Sequence, residues 1–378
     1  MAQRLPELGR FPHFMLKEIY EQPHAIHETL RNHTADEVIF PTELKPLQNS
    51  LTKLSKMIIA ASGSSRHAGL AGEIVIEDLS GVAVDVEYSS EYSYRSSHAV
   101  EDPMVMVITQ SGETADTIAA QREAASRGAK TIAVSNVAAS TIAREASATL
   151  LTYAGEERAV PATKSFTAQL TVLHLFALYL SRARARMSAE QTRNHLARLN
   201  ALPTVIEGCL ESWKGCAQDI ATRFYRATKF LYLGRGVHYA IAREGALKLK
   251  EISYAHAEGY PAGELKHGPN ALVDENLPVV VLATCDRDDP DSMLRYEKTL
   301  GVMEEIRRRN GSVIAVATEG SPEVNRMTEH VLSVPPTTEL LLPIIEIIPL
   351  QLFAYHVAVM NGCDVDHPRN LVKAVVTE

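Results

Sequence analysis

Cysteine is scarce: Cys209, Cys216, Cys285 and Cys363 are the only four in 378 residues. Their spacings match no zinc ribbon or paired redox motif, so reduced thiols are expected and a disulfide scaffold is not. Positive charge is also in the minority, with 38 Lys and Arg against 46 Asp and Glu for a net charge of -8. That balance argues against a nucleic-acid or anionic-membrane partner and leaves any anionic ligand dependent on a local site. Long unbroken apolar runs are lacking too. The longest, residues 340–360, is interrupted by Pro343, Glu346, Pro349, Gln351 and His356, which predicts a buried core or subunit-interface helix rather than a membrane span. The opening MAQRLPELGRFPHFMLKEIY has no apolar core behind a basic start, so no secretory signal is read and a cytoplasmic location is expected. Nucleotide and metal signatures are missing as well. No Gly-rich loop carries a P-loop lysine, Gly234-Arg235-Gly236 runs on as Val237-His238-Tyr239 without the third dinucleotide glycine, and no H-E-x-x-H occurs. Neither cofactor nor metal is expected.

What is present is the composition of an ordinary globular protein, 46% apolar and 22% charged, with length for two domains. Apolar, β-branched runs recur in matched order through two halves. MIIAASG (57–63) pairs with FLYLGRG (230–236), MVMVITQ (104–110) with PVVVLAT (278–284), TIAVSN (131–136) with VIAVAT (313–318), and TLLTYA (149–154) with HVLSVP (330–335). Each run is followed by a helical pattern, as buried parallel strands require. The predicted fold is α/β, with two tandem doubly wound parallel-sheet domains. Expected boundaries are a helical N-terminal segment over 1–50, domains over 51–190 and 216–360, a helical connector over 191–215 broken at Pro203, and a tail over 361–378. The basic cluster Arg182, Arg184 and Arg186 has no interleaved aromatics and reads as a solvated face.

Two hydroxyl-rich turns follow predicted strands. Thr109-Gln110-Ser111-Gly112-Glu113-Thr114 precedes a helical pattern, and Ser62-Gly63-Ser64-Ser65 repeats the device after the first strand. Orphan N–H groups at a helix start, with hydroxyl donors, suit the phosphate of a small metabolite without Lys or Arg. An N-cap and a turn would explain either loop alone; two at neighbouring carboxyl ends of parallel strands point to a ligand.

Residues 244–269, EGALKLKEISYAHAEGYPAGELKHGP, concentrate proton-transfer groups. Glu244, Lys248 and Glu251 fall at i, i+4 and i+7, so one helix face presents a carboxylate, an amine and a second carboxylate. A solvated face with one ion pair is the plain alternative.

Through these motifs the chain resembles the sugar isomerase domains, and more closely the isomerase half of the glutamine:fructose-6-phosphate amidotransferases. The resemblance runs from FMLKEIYEQP through TQSGETADT, ATKSFTAQLT, LGRG, EGALKLKEISYAHAE and GELKHGP to DHPRNLVKAVVTE. It implies that Ser64, Ser65, Thr109, Gln110, Ser111 and Thr114 hold the sugar phosphate and its neighbouring hydroxyls, with Val160 and Glu244 at the substrate. It implies that Glu251 moves the proton between C1 and C2, His267 assists ring opening, Lys373 forms an imine with the open-chain ketose, and Lys248 joins the acid/base set. It further implies a homodimer whose histidine loop completes the neighbour's site. Two departures stand out. The chain starts near the isomerase half and Cys209 is its first cysteine, so no glutaminase activity is expected from it. The form Ala162-Thr163-Lys164-Ser165-Phe166 is similar to stand-alone amino-sugar phosphate deaminases, and Thr109 stands where the synthase has a serine. The expected activity is isomerising deamination of glucosamine 6-phosphate to fructose 6-phosphate and ammonia. The alternatives are a synthase subunit using external ammonia, another phosphosugar isomerase or deglycase, and a non-catalytic sugar-phosphate sensor.

Overall fold

The computed structural model describes residues 8–35, 38–40, 42–95 and 104–376. Among them are two five-stranded parallel sheets. The first contains β1 (Lys56–Ala61), β2 (Ala83–Tyr88), β3 (Met104–Ile108), β4 (Lys130–Ser135) and β5 (Ala148–Leu151), in the order β2-β1-β3-β4-β5. The second contains β6 (Lys229–Gly234), β7 (His256–Pro261), β8 (Pro278–Ala283), β9 (Ser312–Thr318) and β10 (Val331–Val334), in the order β7-β6-β8-β9-β10. The two orders are the same, as the matched runs require. In each sheet the order reverses between its first and third strands, and ligands of such sheets bind outside the carboxyl ends at that reversal.

The inner strands form because every residue has an apolar neighbour on both faces: all five residues of β3 and all six of β8 are buried. The edge strands β2 and β7 mix buried with exposed or half-buried positions and contain Asp85, Glu87 and Glu258. Lacking a continuous apolar run, they escape the pattern that marks the others.

The helices are α1 (Phe14–Tyr20), α2 (Gln22–His33), α3 (Gly63–Ser80), α4 (Ala115–Ser126), α5 (Lys164–Ala183), α6 (Ala189–Phe224), α7 (Val237–Ser253), α8 (Pro290–Arg308) and α9 (Leu342–Met360), with shorter turns between them. Contacts divide the chain into two units. The second-sheet unit holds the described residues of Met1–Glu21, Arg158–Thr163 and Thr204–Leu371; the first-sheet unit holds those of Gln22–Glu157, Lys164–Pro203 and Val372–Glu378. Thus α1 belongs with the second sheet, and the last residues of the tail belong with the first.

The expected break at Pro203 does not occur, because α6 continues through it to Phe224. A proline inside a helix costs about 3 kcal/mol. Leu199, Leu202, Ile206 and Leu210, spaced along one face on either side of it, are all buried, and that burial offsets the lost hydrogen bond. The apolar segment is the core helix α9: Glu339–Met360 is long and apolar enough to cross a membrane, yet 94% of its most apolar window is buried within the protein.

Candidate active site

The two hydroxyl loops lie at the carboxyl ends of β1 and β3, where the first sheet's order reverses. After β3, Thr109 is buried and its hydroxyl hydrogen-bonds that of Thr114 at 3.0 Å and accepts the Gly112 N–H at 3.3 Å. Ser111 Oγ accepts the Glu113 N–H at 3.1 Å, and Glu113 Oε1 accepts the Thr141 N–H at 2.7 Å. Gly112 is obligatory here: its φ is +70°, and a Cβ would come within 2.1 Å of Ser140 Oγ. Thr114 precedes the first residue of α4 yet makes no side-chain cap, so its hydroxyl is directed to Thr109 rather than spent on the helix. After β1, Gly63 begins α3 and Ser64 and Ser65 occupy its first turn. Ser62 makes no side-chain cap, and Ser65 Oγ accepts the Gln169 amide of α5 at 3.0 Å. The loops therefore combine helix N-termini with buried and half-buried hydroxyls, an arrangement suited to an oxyanion.

In the second-sheet unit, α7 carries the predicted face. Its apolar stripe, Val237, Ala240, Ile241, Leu249 and Ile252, is buried, and Gly245 lets Leu350 of α9 approach so closely that a Cβ would lie 2.8 Å from it. Close packing seals the polar residues beside that stripe. The Lys248 ammonium is 3.4 Å from Glu244 Oε1 and 2.6 Å from Glu251 Oε2; the Lys248 and Glu244 side chains are fully buried, and that of Glu251 is 21% exposed. A solvated face is thereby excluded. One ammonium sits between two carboxylates, and Glu251 is the member that reaches solvent. Tyr254, in the left-handed conformation with φ 64°, ends the helix. Its hydroxyl accepts the Arg369 N–H at 3.0 Å, and the Arg369 guanidinium stacks on its ring at 4.0 Å. The root of the tail is thus latched three residues beyond Glu251.

The other predicted residues occupy separate places. His267 is exposed at the end of a 3-10 turn over Ala262–His267. Val160 is half-buried, and its N–H donates to the Asp366 carbonyl at 2.9 Å. The Asp366 carboxylate in turn caps α1, accepting from Phe14 N at 2.9 Å and Met15 N at 2.8 Å. Lys373, in the first-sheet unit, extends its ammonium to 2.6 Å from Glu157 Oε2.

Sequence reasoning missed two arrangements. Glu157, Ser165 and Lys373 are brought together over more than two hundred residues, and no periodicity connects them. The second sheet's reversal point is occupied by a charged network: His238 at the start of α7 is buried between Glu346 (Nδ1 to Oε1, 2.8 Å) and Glu339 (Nε2 to Oε1, 3.2 Å). Thr284 donates to Glu346, and Arg295 makes a forked pair with Glu339. Burial opposes charge on the ring, but the Glu346 and Glu339 carboxylates outweigh it and raise His238 to about 9. Among the described residues, no group of three or more His, Cys, Asp or Glu side chains is placed to hold a metal ion.

Similarity to known proteins agrees with this geometry. The SIS domain family matches residues 50–179 and 223–361. The glutamine–fructose-6-phosphate aminotransferase (isomerizing) of Chlorobaculum tepidum is 45% identical over 374 residues, 98% of this chain and 59% of that protein. That of Aquifex aeolicus is 44% identical over 372 residues, 98% of this chain and 59% of that protein. The chain therefore spans about three fifths of the length of these curated relatives. The solved C-terminal domain of the Francisella tularensis glucosamine-fructose-6-phosphate aminotransferase superposes with a TM-score of 0.88 at 35% identity, covering 97% of this chain and all of that one. A glucosamine-6-phosphate deaminase from Thermotoga maritima shares the fold, with a TM-score of 0.71 at 20% identity over 96% of this chain and 99% of that one. The two family matches coincide with the two sheets and their helices, and the chain belongs to the SIS domain family.

Proposed function

We propose that the chain is an aldose-ketose isomerase of amino-sugar phosphates that converts glucosamine 6-phosphate to fructose 6-phosphate and ammonia. The observation that carries this reading is the sealed Glu244-Lys248-Glu251 ladder, in which a fully buried ammonium holds a partly exposed carboxylate at 2.6 Å. Moving a carbonyl between C1 and C2 needs one base that takes a carbon-bound proton and returns it to the adjacent carbon, and that task is assigned to Glu251. The phosphate falls to Ser64, Ser65, Thr109, Gln110, Ser111 and Thr114. Val160 and Glu244 contact the sugar, His267 assists ring opening and Lys373 forms the imine with the open-chain ketose. In opened glucosamine 6-phosphate, proton transfer from C2 to C1 leaves an imine at C2, which water hydrolyses with release of ammonia to give the ketose that Lys373 engages.

Purified protein given glucosamine 6-phosphate is expected to release ammonia and fructose 6-phosphate in equal amounts, read by paired enzymatic assays. Neither product appearing, with sugar phosphate bound, would replace the enzyme with a sensor. A second reading, synthesis from fructose 6-phosphate and external ammonia, is favoured by the 45% identity to an aminotransferase. It predicts glucosamine 6-phosphate when fructose 6-phosphate and ammonia are supplied.

The reading includes a homodimer in which the exposed His267 of one protomer serves its partner's site. Mixing and refolding inactive Glu251→Gln and His267→Ala proteins should restore roughly a quarter of wild-type activity, because half of the dimers are mixed and each regains one intact site. No recovery, with mixed dimers verified by mass, would exclude sharing.

A further inference from the structure

We propose that Glu157, held by Ser165, is the docking carboxylate and proton acceptor for the Lys373 amine. This rests on the proposed role of Lys373 in imine formation. The Glu157 side chain has no exposure to solvent, although it carries a carboxylate. Burying such a group is costly unless donors surround it. The donors are specific. Ser165 at the start of α5 gives its backbone N–H to Oε1 at 3.1 Å and its hydroxyl to Oε2 at 2.7 Å, so the carboxylate is oriented by the helix. The oxygen that receives the Ser165 hydroxyl is the one facing Lys373 Nζ at 2.6 Å.

The tail has a second attachment two residues further on. The Val375 carbonyl accepts the N–H of Ala115, the first residue of α4, at 3.0 Å. That N–H is one of the orphan donors of the helix start, immediately after Thr114 of the hydroxyl loop. Around these two anchors the tail is open: Val372, Val375 and Val376 are each more than half exposed. Lys373 is the one ionisable side chain among residues 372–376, and the buried Glu157 carboxylate is a partner that holds Nζ.

The chemistry follows from that placement. An ammonium has no lone pair and cannot attack a carbonyl. Glu157 Oε2 takes one proton from Nζ; the freed lone pair forms the N–C bond to C2 of the open-chain ketose as the C=O π pair moves to oxygen, and that oxygen takes a second proton from the same nitrogen to become the hydroxyl of a carbinolamine. The proton held by Glu157 then goes to that hydroxyl, which leaves as water while the nitrogen lone pair closes the C=N bond. The iminium retains one N–H, and Glu157 ends ionised as it began. Ketone, ammonium and carboxylate become iminium, water and carboxylate, with no redox change.

The test uses the full chain, fructose 6-phosphate and borohydride, which reduces an imine to a stable secondary amine. In the wild type the adduct should appear on Lys373 by peptide mass spectrometry. Glu157→Gln keeps the shape and an acceptor for the Ser165 N–H, its amide N–H turning to donate to the Ser165 hydroxyl, but it cannot take the proton; trapping and kcat should fall roughly 100-fold while KM stays near wild type. Ser165→Ala removes only the orienting hydroxyl and should lower both by about fivefold. A purely structural Glu157 would instead lower the unfolding midpoint and leave trapping per bound sugar unchanged, which overturns the inference. Should Glu157→Gln not fold, wild-type trapping in Ser165→Ala overturns it equally. Absence of any adduct in the wild type would refute the imine role itself, a separate failure.

Discussion

Glu251→Gln is expected to lower turnover by about 1,000-fold while leaving sugar-phosphate affinity within about a factor of two, in line with the loss of one acid/base group. The separation of the two effects follows from the structure. The hydroxyl loops belong to β1 and β3, whereas Glu251 belongs to α7, so the substitution removes no residue to which phosphate binding is assigned. Glutamine has the size of glutamate and places a side-chain oxygen where the carboxylate meets the Lys248 ammonium, so α7 keeps its packing against α9. What is lost is the ability to take a proton from carbon and return it. The decisive readout is exchange of the C1 or C2 hydrogen with deuterated water, because it reports proton transfer even when product release limits turnover. Exchange within tenfold of wild type would remove Glu251 from the role of base.

Loss of His238 should destabilise the second-sheet unit more than any other single change considered. Glu346 and Glu339 face the ring from α9 and the turn before it, Arg295 reaches Glu339 from α8, and Thr284 donates to Glu346 from the end of β8. Removing the histidine leaves two buried carboxylates opposed, a defect that costs about 3–5 kcal/mol. The pH dependence has a definite sign. His238 is raised from 6.5 to about 9, so its contribution is fully present below pH 6.5 and is lost as pH rises through about 9; the span corresponds to about 3 kcal/mol. Glu339 runs the other way. Burial alone would raise it, but hydrogen bonds from His238 and Arg295 outweigh burial and lower it from 4.5 to about 2. Its contribution is present above pH 4.5 and fades as pH falls through about 2. The two shifts share one interaction and do not add. Urea unfolding of wild type and His238→Gln across pH 6 to 9.5 should therefore converge as pH rises. Parallel curves would show that the ring's charge contributes nothing.

Much of this was legible in the residues because it follows from short-range geometry. The central strands announce themselves, since a strand covered on both faces must be apolar at every position, as β3 and β8 are. The edge strands β2 and β7 are half-covered and carry acidic residues, so their pattern is diluted below notice. Pro203 was misleading because propensity describes an isolated helix, whereas α6 is held by leucines buried on both sides of the proline. The Glu244-Lys248-Glu251 face was visible because helical spacing alone places those groups on one side. That it is buried, and so is more than a surface ion pair, depends on the close approach of α9 at Gly245.

The pairings Glu157 with Lys373 and His238 with Glu339 and Glu346 lie beyond any local rule. They join residues from 101 to 216 positions apart, and nothing in the spacing of a lone glutamate marks its partner. By itself the sequence determined the duplicated α/β design, the hydroxyl loops after the first and third strands, and the charged face of α7, because period, turn chemistry and strand burial act within a few residues. Only the tertiary structure decided which charges lose their water and which partner each then finds, because desolvation is a property of the packed chain.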